Sequence, residues 1–157
     1  MRPIWICGHR KCGTTLLTNL LDGHPDLFNY GSDFRLLYAI YNGFDQYGNE
    51  KEIKSRFLKV FSDDRTEKDI LNSQYLAKTI GNLNFSSKDF IWHFLSAVLD
   101  KVKLDYPNKK LFIKETSSEI YIPSISQKYN PRFVYVVRDP RDNWAAISAG
   151  IKKYYEK

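Results

Sequence analysis

The chain has little with which to build a disulfide framework, a metal cage or a membrane span. Its only cysteines are Cys7 and Cys12. One pair makes a poor framework and shows no zinc-site spacing, so reduced thiols and no metal site are expected. No apolar run approaches the ~20 residues that a membrane helix needs. The N-terminus "MRPIWICGHRK" offers one basic residue and then only five uncharged positions before a glycine, too few for the roughly 7–15 residues of a secretory leader's apolar region. A cytoplasmic protein is the expectation that follows. Asn84-Phe85-Ser86 fits the glycosylation pattern, but without a leader it reads as a chance match. Repeats, low-complexity tracts and the signatures of nucleic-acid binders are missing too, so no nucleic-acid partner is expected.

What the chain does have is a core. Of its 157 residues 43% are hydrophobic and 15% aromatic, which suits one globular domain over residues 1–157. The net charge of +6 favours anionic ligands. "PIWIC" (3–7) predicts a buried strand ending at a glycine, and the following helix places Leu16, Leu17, Leu20 and Leu21 on one face before Gly23 and Pro25 stop it. "LFNYG" (27–31) predicts a short strand, and "SDFRLLYAIYNGF" a helix with Ser32 or Asp33 near its N-cap. Two surface helices broken at "SDDRT" are expected over 45–79, with Phe57, Leu58, Val60 and Phe61 at helical spacing. A longer helix follows Ser86 and Ser87, with Phe90, Ile91, Phe94, Leu95, Val98, Leu99 and Val102 on one side. "KLFIKE" (110–115) and "RFVYVV" (132–137) predict two more strands, the latter in the middle of a parallel sheet because almost nothing polar interrupts it. After "RDPRD" a last helix begins near Pro140. Alternating strands and helices imply an α/β fold, three layers α/β/α around a central parallel sheet.

The stretch "ICGHRKCGTTLL" joins the first strand to the first helix. Such a loop offers backbone N–H groups and the positive end of a helix dipole to an anion. Gly8 and Gly13 have the spacing of a nucleotide triphosphatase loop, yet Thr14 stands where that loop carries its lysine, and the lysine is displaced to Lys11. In this form the loop resembles the 5′-phosphosulfate loop of sulfotransferases that use 3′-phosphoadenosine-5′-phosphosulfate (PAPS). "FVYVVRDPRDNWAAISAG" resembles that family's 3′-phosphate motif, and the two segments, roughly residues 4–33 and 111–151, come in the family's order. The resemblance implies a P-loop-like sulfotransferase fold and transfer of a sulfuryl group from PAPS to a hydroxyl of a carbohydrate, tyrosine or small molecule, releasing 3′-phosphoadenosine-5′-phosphate (PAP) without a metal. Family members continue with further helices, so the chain is expected to lack the C-terminal part of the family domain. Two alternatives stay open, a PAPS/PAP-binding module without turnover and a P-loop small-molecule kinase; the missing Lys-Thr pair after Gly13 argues against the kinase.

The resemblance also assigns residues. Lys11 would sit over the bridging oxygen of the phosphosulfate as a catalytic cation. Cys12, Gly13, Thr14 and Thr15 would line the 5′-phosphate, with Arg10 either a further anion contact or a solvated side chain. Arg138 would hold the 3′-phosphate with its planar fork of donors. The family's serine eight residues later is Ala146 here. Ser148 is the nearest hydroxyl, but two positions turn a helix by about 200°, so it serves only if the loop or helix start differs locally; Arg141 is open between compensating and lying at the surface. "LDGHPD" is like the protein-tyrosine and Golgi carbohydrate branches, which place a glutamate shortly afterwards. Asp33 falls at that point, so its roles as general base and as helix cap are both open. Lys114 in "IKETSS" resembles a lysine near the acceptor site in relatives, and Glu115 is an alternative carboxylate. His9, His24 and His93 fit no catalytic pattern, and Trp5 reads as core.

Overall fold

The computed structural model describes residues 2–30, 33–62 and 74–155. Four parallel strands, β1 (Ile4–Cys7), β2 (Leu27–Asn29), β3 (Lys110–Lys114) and β4 (Arg132–Tyr135), form one sheet in the order β2-β3-β1-β4. β1 pairs with β3 from Ile4↔Phe112 to Ile6↔Lys114, and with β4 from Ile4↔Arg132 to Cys7↔Tyr135. The two inner strands are covered on both faces, with Trp5, Ile6, Cys7, Leu111, Phe112 and Ile113 shut off from solvent, as expected of strands between helix layers. The indole N–H of Trp5 is satisfied inside this core by Ser118 Oγ, which accepts it at 3.0 Å.

The apolar run at 132–137 is not central, as its composition predicts; it supplies the sheet's edge. Only Arg132–Tyr135 is strand, and Tyr135 is 52% exposed. Apolar composition says that a strand can be covered on its faces, but lateral order is set by the connections. The chain leaves β1 in one direction, toward β2 and β3, and leaves β3 in the other, past β1 to β4. The carboxyl ends of β1 and β3 therefore border the point where the winding reverses, the place where open α/β sheets form a ligand crevice.

Among the described residues, helices cover the sheet in six α-segments: α1 (Thr14–Leu21), α2 (Glu50–Ser62), α3 (Gln74–Gly81), α4 (Phe90–Asp105), α5 (Ile122–Tyr129) and α6 (Pro140–Tyr155). All seven apolar positions predicted for α4 are buried. Phe57 of α2 wedges among them edge-on, its ring centroid 5.4 Å from Phe90 and 5.0 Å from Phe94. Leu58 is exposed and Val60 half-buried, while the predicted break beyond Ser62 and the side chain of Phe61 lie outside the described residues.

Two elements differ from their sequence pattern. Half of the leucine stripe of α1 faces outward, with Leu16 at 64% and Leu20 at 73% exposure and Leu17 and Leu21 half-buried, while Thr14 and Thr18 pack against the sheet. The small threonines let this helix lie close to the strands, and Thr18 satisfies its hydroxyl on the Thr14 carbonyl at 2.8 Å. The segment after β2 forms a π-helix, Leu36–Tyr41, followed by a 3-10 turn, Phe44–Gln46, in place of one α-helix. Arg35 in a left-handed conformation (φ 53°) delays its start.

Candidate active site

The loop between β1 and α1 springs from the gap between three strand ends. Gly8 has φ 154°, and a Cβ on it would stand 2.5 Å from the Val136 carbonyl oxygen. That approach is held from both sides: Val136 N–H donates to Cys7 O at 2.9 Å, and Ser117 N–H to Gly8 O at 3.0 Å. Farther on, Lys11 (φ 65°) and Gly13 (φ 107°) turn the chain through left-handed conformations. Gly13 then starts α1, its carbonyl accepting Leu17 N–H at 3.1 Å, and the amides of Gly13, Thr14 and Thr15 find no acceptor among the described residues. Unpaired donors at the positive end of a helix are the chemistry of an anion cradle.

The start of α6 braces this loop. Asp139 accepts Arg141 N–H at 2.9 Å and its guanidinium at 2.8 Å, and its own carbonyl accepts Asn143 N–H at 2.9 Å. The Arg141 side chain beside it holds the Asp139 carboxyl below its usual range. Arg141 is thereby engaged at the surface, and Arg138 turns the other way, donating from Nη1 to the Lys11 carbonyl at 3.2 Å. The amide of Asn143, almost buried, lies 3.3 Å from His9 Nδ1 and donates toward Cys12 Sγ at 3.5 Å. Its Oδ1 is buried with no partner among the described residues. The Lys11 side chain lies against α6, with Nζ 4.0 Å from where a Cβ on Gly150 would stand. Beside these contacts a cleft of about 360 Å³ opens, lined by His9, Cys12, Val136, Arg138, Asn143 and Trp144 among others. Ser148 is half-buried on the same helix and makes no hydrogen bond among the described residues.

A second cluster sits at the ends of β1 and β3. Lys114, 5% exposed, donates from Nζ to Thr15 Oγ1 at 3.2 Å and lies 3.6 Å from Asp33 Oδ2. Asp33 accepts the Thr116 N–H at 3.1 Å and the Thr116 hydroxyl at 3.0 Å. It therefore caps no helix: the turn at Arg35 separates it from the π-helix, whose first amides go elsewhere. Glu115 takes them, its Oε1 accepting Leu37 N–H at 2.6 Å and Tyr38 N–H at 2.9 Å. Burial pushes the Glu115 carboxyl up to about 8. At the rim the Arg10 guanidinium lies 5.5 Å from the centroid of the Tyr38 ring, a cation–π distance.

The arrangement thus joins Lys11 with Arg138 across the loop, and Thr15 with Lys114 and Asp33 across the crevice. A model of the sulfotransferase family matches residues 3–155. The chain belongs to the sulfotransferase family. No curated protein and no solved structure matched the chain. Its four-stranded parallel sheet between helices is the α/β sulfotransferase fold. Among the described residues no helix is long and apolar enough to cross a membrane, and no three His, Cys, Asp or Glu side chains group as a metal site.

Of the histidines, His24 Nδ1 accepts Asp26 N–H at 3.1 Å, His93 is exposed on α4, and His9 at the cleft lies 3.3 Å from the Asn143 amide. Three residues of the candidate site escape the motif reading, Asn143, Thr116 and Gly150. Each acts by what it packs against or bonds to. An asparagine directly after "RDPRD" was the one visible signal, because that position faces back toward the loop from the helix's first turn.

Proposed function

We propose that the chain transfers a sulfuryl group from PAPS to a hydroxyl-bearing acceptor. The observation that carries this reading is the union of the two motifs: Arg138 bonds the carbonyl of Lys11, so the groups suited to the two ends of one bisphosphorylated nucleotide are braced against each other. The residues present fit that donor. The unpaired amides of Gly13, Thr14 and Thr15 suit its 5′-phosphate, the Arg138 guanidinium its 3′-phosphate, and the buried, partnerless Asn143 Oδ1 beside the cleft a donor N–H. Ser148 and Arg10 complete the set at either end, Ser148 from α6 and Arg10 from the rim.

PAPS supplies an activated sulfuryl group. The acceptor oxygen forms the new S–O bond in line with the old one, whose electron pair leaves on the bridging oxygen as PAP, and the acceptor proton passes to Asp33. Lys11 balances charge developing on the bridging oxygen. Lys114, between Thr15 and Asp33, ties the cradle to the base and offers its ammonium to the transferring oxygens. Tyr38 and Arg10 stand at the mouth where an acceptor enters.

PAP added at about a hundred times its Kd stabilises the fold by about 2.7 kcal/mol, which raises Tm by roughly 5–10 °C for a chain of this size. The same concentration of ATP gives a much smaller rise, since no lysine follows Gly13. A folded sample whose Tm ignores both PAPS and PAP defeats the proposal. Transfer of ³⁵S from labelled PAPS to a mixed acceptor library then separates an enzyme from a module that binds without turnover.

A further inference from the structure

Glu115 is the most deeply buried carboxyl described in the fold and takes no part in the transfer scheme above. Its backbone continues the ladder past β3, the N–H donating to Ile6 O of β1 at 3.0 Å, so the side chain leaves from the crevice between the two central strands. It reaches under the segment that carries Asp33 and receives two amides on one oxygen, Leu37 at 2.6 Å and Tyr38 at 2.9 Å. The same segment is fastened to the same strand end twice more. Phe34 N–H donates to Lys114 O at 2.8 Å, and the Asp33 carboxylate takes both donors of Thr116. Residues 33–38 and 114–116 are thus laced together, and Glu115 fastens the far end of that lacing.

We infer that Glu115 is a positioning residue for Asp33: by holding the first turn of the π-helix against the end of β3 it fixes where the Asp33 carboxylate stands relative to Lys114 and Thr15. Its role in transfer rests on the sulfotransferase reading above; its effect on Asp33 does not. The other oxygen, Oε2, is equally buried and has no partner among the described residues. Two donors already occupy Oε1, so the proton of the neutral acid resides on Oε2. A neutral acid there avoids an unpaired buried charge and leaves the local field to Asp33 and Lys114. The groups that act on it are the amides of Leu37 and Tyr38, the Asp33 carboxylate from the crevice, and Tyr121 of the 3-10 turn Glu119–Tyr121. Asp33 adds to the effect of burial in raising the carboxyl to about 8. Above that pH a second negative charge appears beside Asp33.

Glu115→Gln and Glu115→Ala test this by amide exchange at Leu37, Tyr38 and Thr116, with Phe112 as a core reference. Thr116 N–H is bonded by Asp33 and not by Glu115, so it reports the coupling. Glutamine has the shape of the neutral acid and keeps all three amides protected. Alanine exposes Leu37 and Tyr38, and Thr116 with them, each exchanging about 10-fold faster or more, the change that follows from losing one net hydrogen bond. Fast Leu37 and Tyr38 beside an unchanged Thr116 overturns the inference. Should the alanine variant not fold, the Thr116 amide shift decides: it steps near pH 8 in the unsubstituted chain and is flat in Glu115→Gln, and a step that survives the glutamine overturns the inference. Given PAPS and an acceptor, the alanine variant loses kcat with KM for PAPS unchanged, and the glutamine variant loses the rate change through pH 8. A chain that transfers no sulfate but shows the coupled exchange refutes the function and leaves Glu115's role standing.

Discussion

Lys11→Ala lowers the transfer rate by about 10²–10³-fold, the usual cost of deleting one charge stabiliser at a developing oxyanion, while PAP still raises the melting temperature. The contrast follows from position. Lys11 is read as facing the bridging oxygen, which carries its new charge only as the sulfuryl group departs, whereas the 5′-phosphate is left to the amides of Gly13, Thr14 and Thr15. Alanine is a fair comparison because the site at φ 65° strains any residue with a Cβ equally. The loss therefore reports the ammonium and not the backbone. Lys11→Arg does not restore the rate, since a planar fork cannot put a compact charge in the same place. Single-turnover transfer from ³⁵S-labelled PAPS measures the effect, and a loss below about threefold removes Lys11 from the chemistry.

The second large effect falls on folding. Gly8→Ala places a methyl 2.5 Å from the Val136 carbonyl oxygen, and that carbonyl cannot retreat. Its neighbouring amide is pinned to Cys7 O, and the Gly8 carbonyl is pinned by Ser117. Added to the unfavourable φ, the clash costs about 3 kcal/mol or more, a fall in Tm of roughly 6–12 °C. Gly13→Ala is the internal control. It shares the positive φ, but nothing lies within 4 Å of its new Cβ, so it loses only about 1–2 kcal/mol of backbone preference. Equal losses at the two positions in a thermal melt overturn this account of the loop's root.

Much of the molecule is legible in its residue order. The run from "PIWIC" into "GHRKCGTT" is a strand, a glycine turn and a helix in sequence, and local chemistry suffices to build all three. The α4 stripe is legible because a helix buried along one side repeats its demand every turn. What is not legible is decided by partners distant along the chain. "RFVYVV" carries no mark of its edge place, which depends on the crossings of other strands. The leucines of α1 have the right spacing for a core face, yet the loop fixes the helix's rotation by turning Thr14 and Thr18 to the sheet. Asp33 looks like a cap because it precedes apolar residues at helical spacing; its partner Thr116 is 83 positions away. Glu115 conceals most, since an acid next to a lysine reads as a surface pair, and only the close approach of the π-helix makes it a clamp.

The bond from Arg138 to the Lys11 carbonyl makes two distant stretches of sequence behave as one element. On the proposed function, each is half of a hinge whose other half is the donor. A molecule gripped at its 3′ end stiffens the turn that presents the ammonium at its 5′ end, and a loosened turn weakens the grip. Loss of the Arg138 guanidinium is then already partly damage to the turn at Lys11. Arg138→Ala should accordingly lower donor affinity and loosen the turn at Lys11 together, whereas Lys11→Ala keeps the carbonyl that Arg138 bonds and leaves donor affinity nearly unchanged. The nucleotide would be sensed as a whole length, and a mononucleotide lacking its 3′-phosphate would find a slacker cradle as well as one fewer contact.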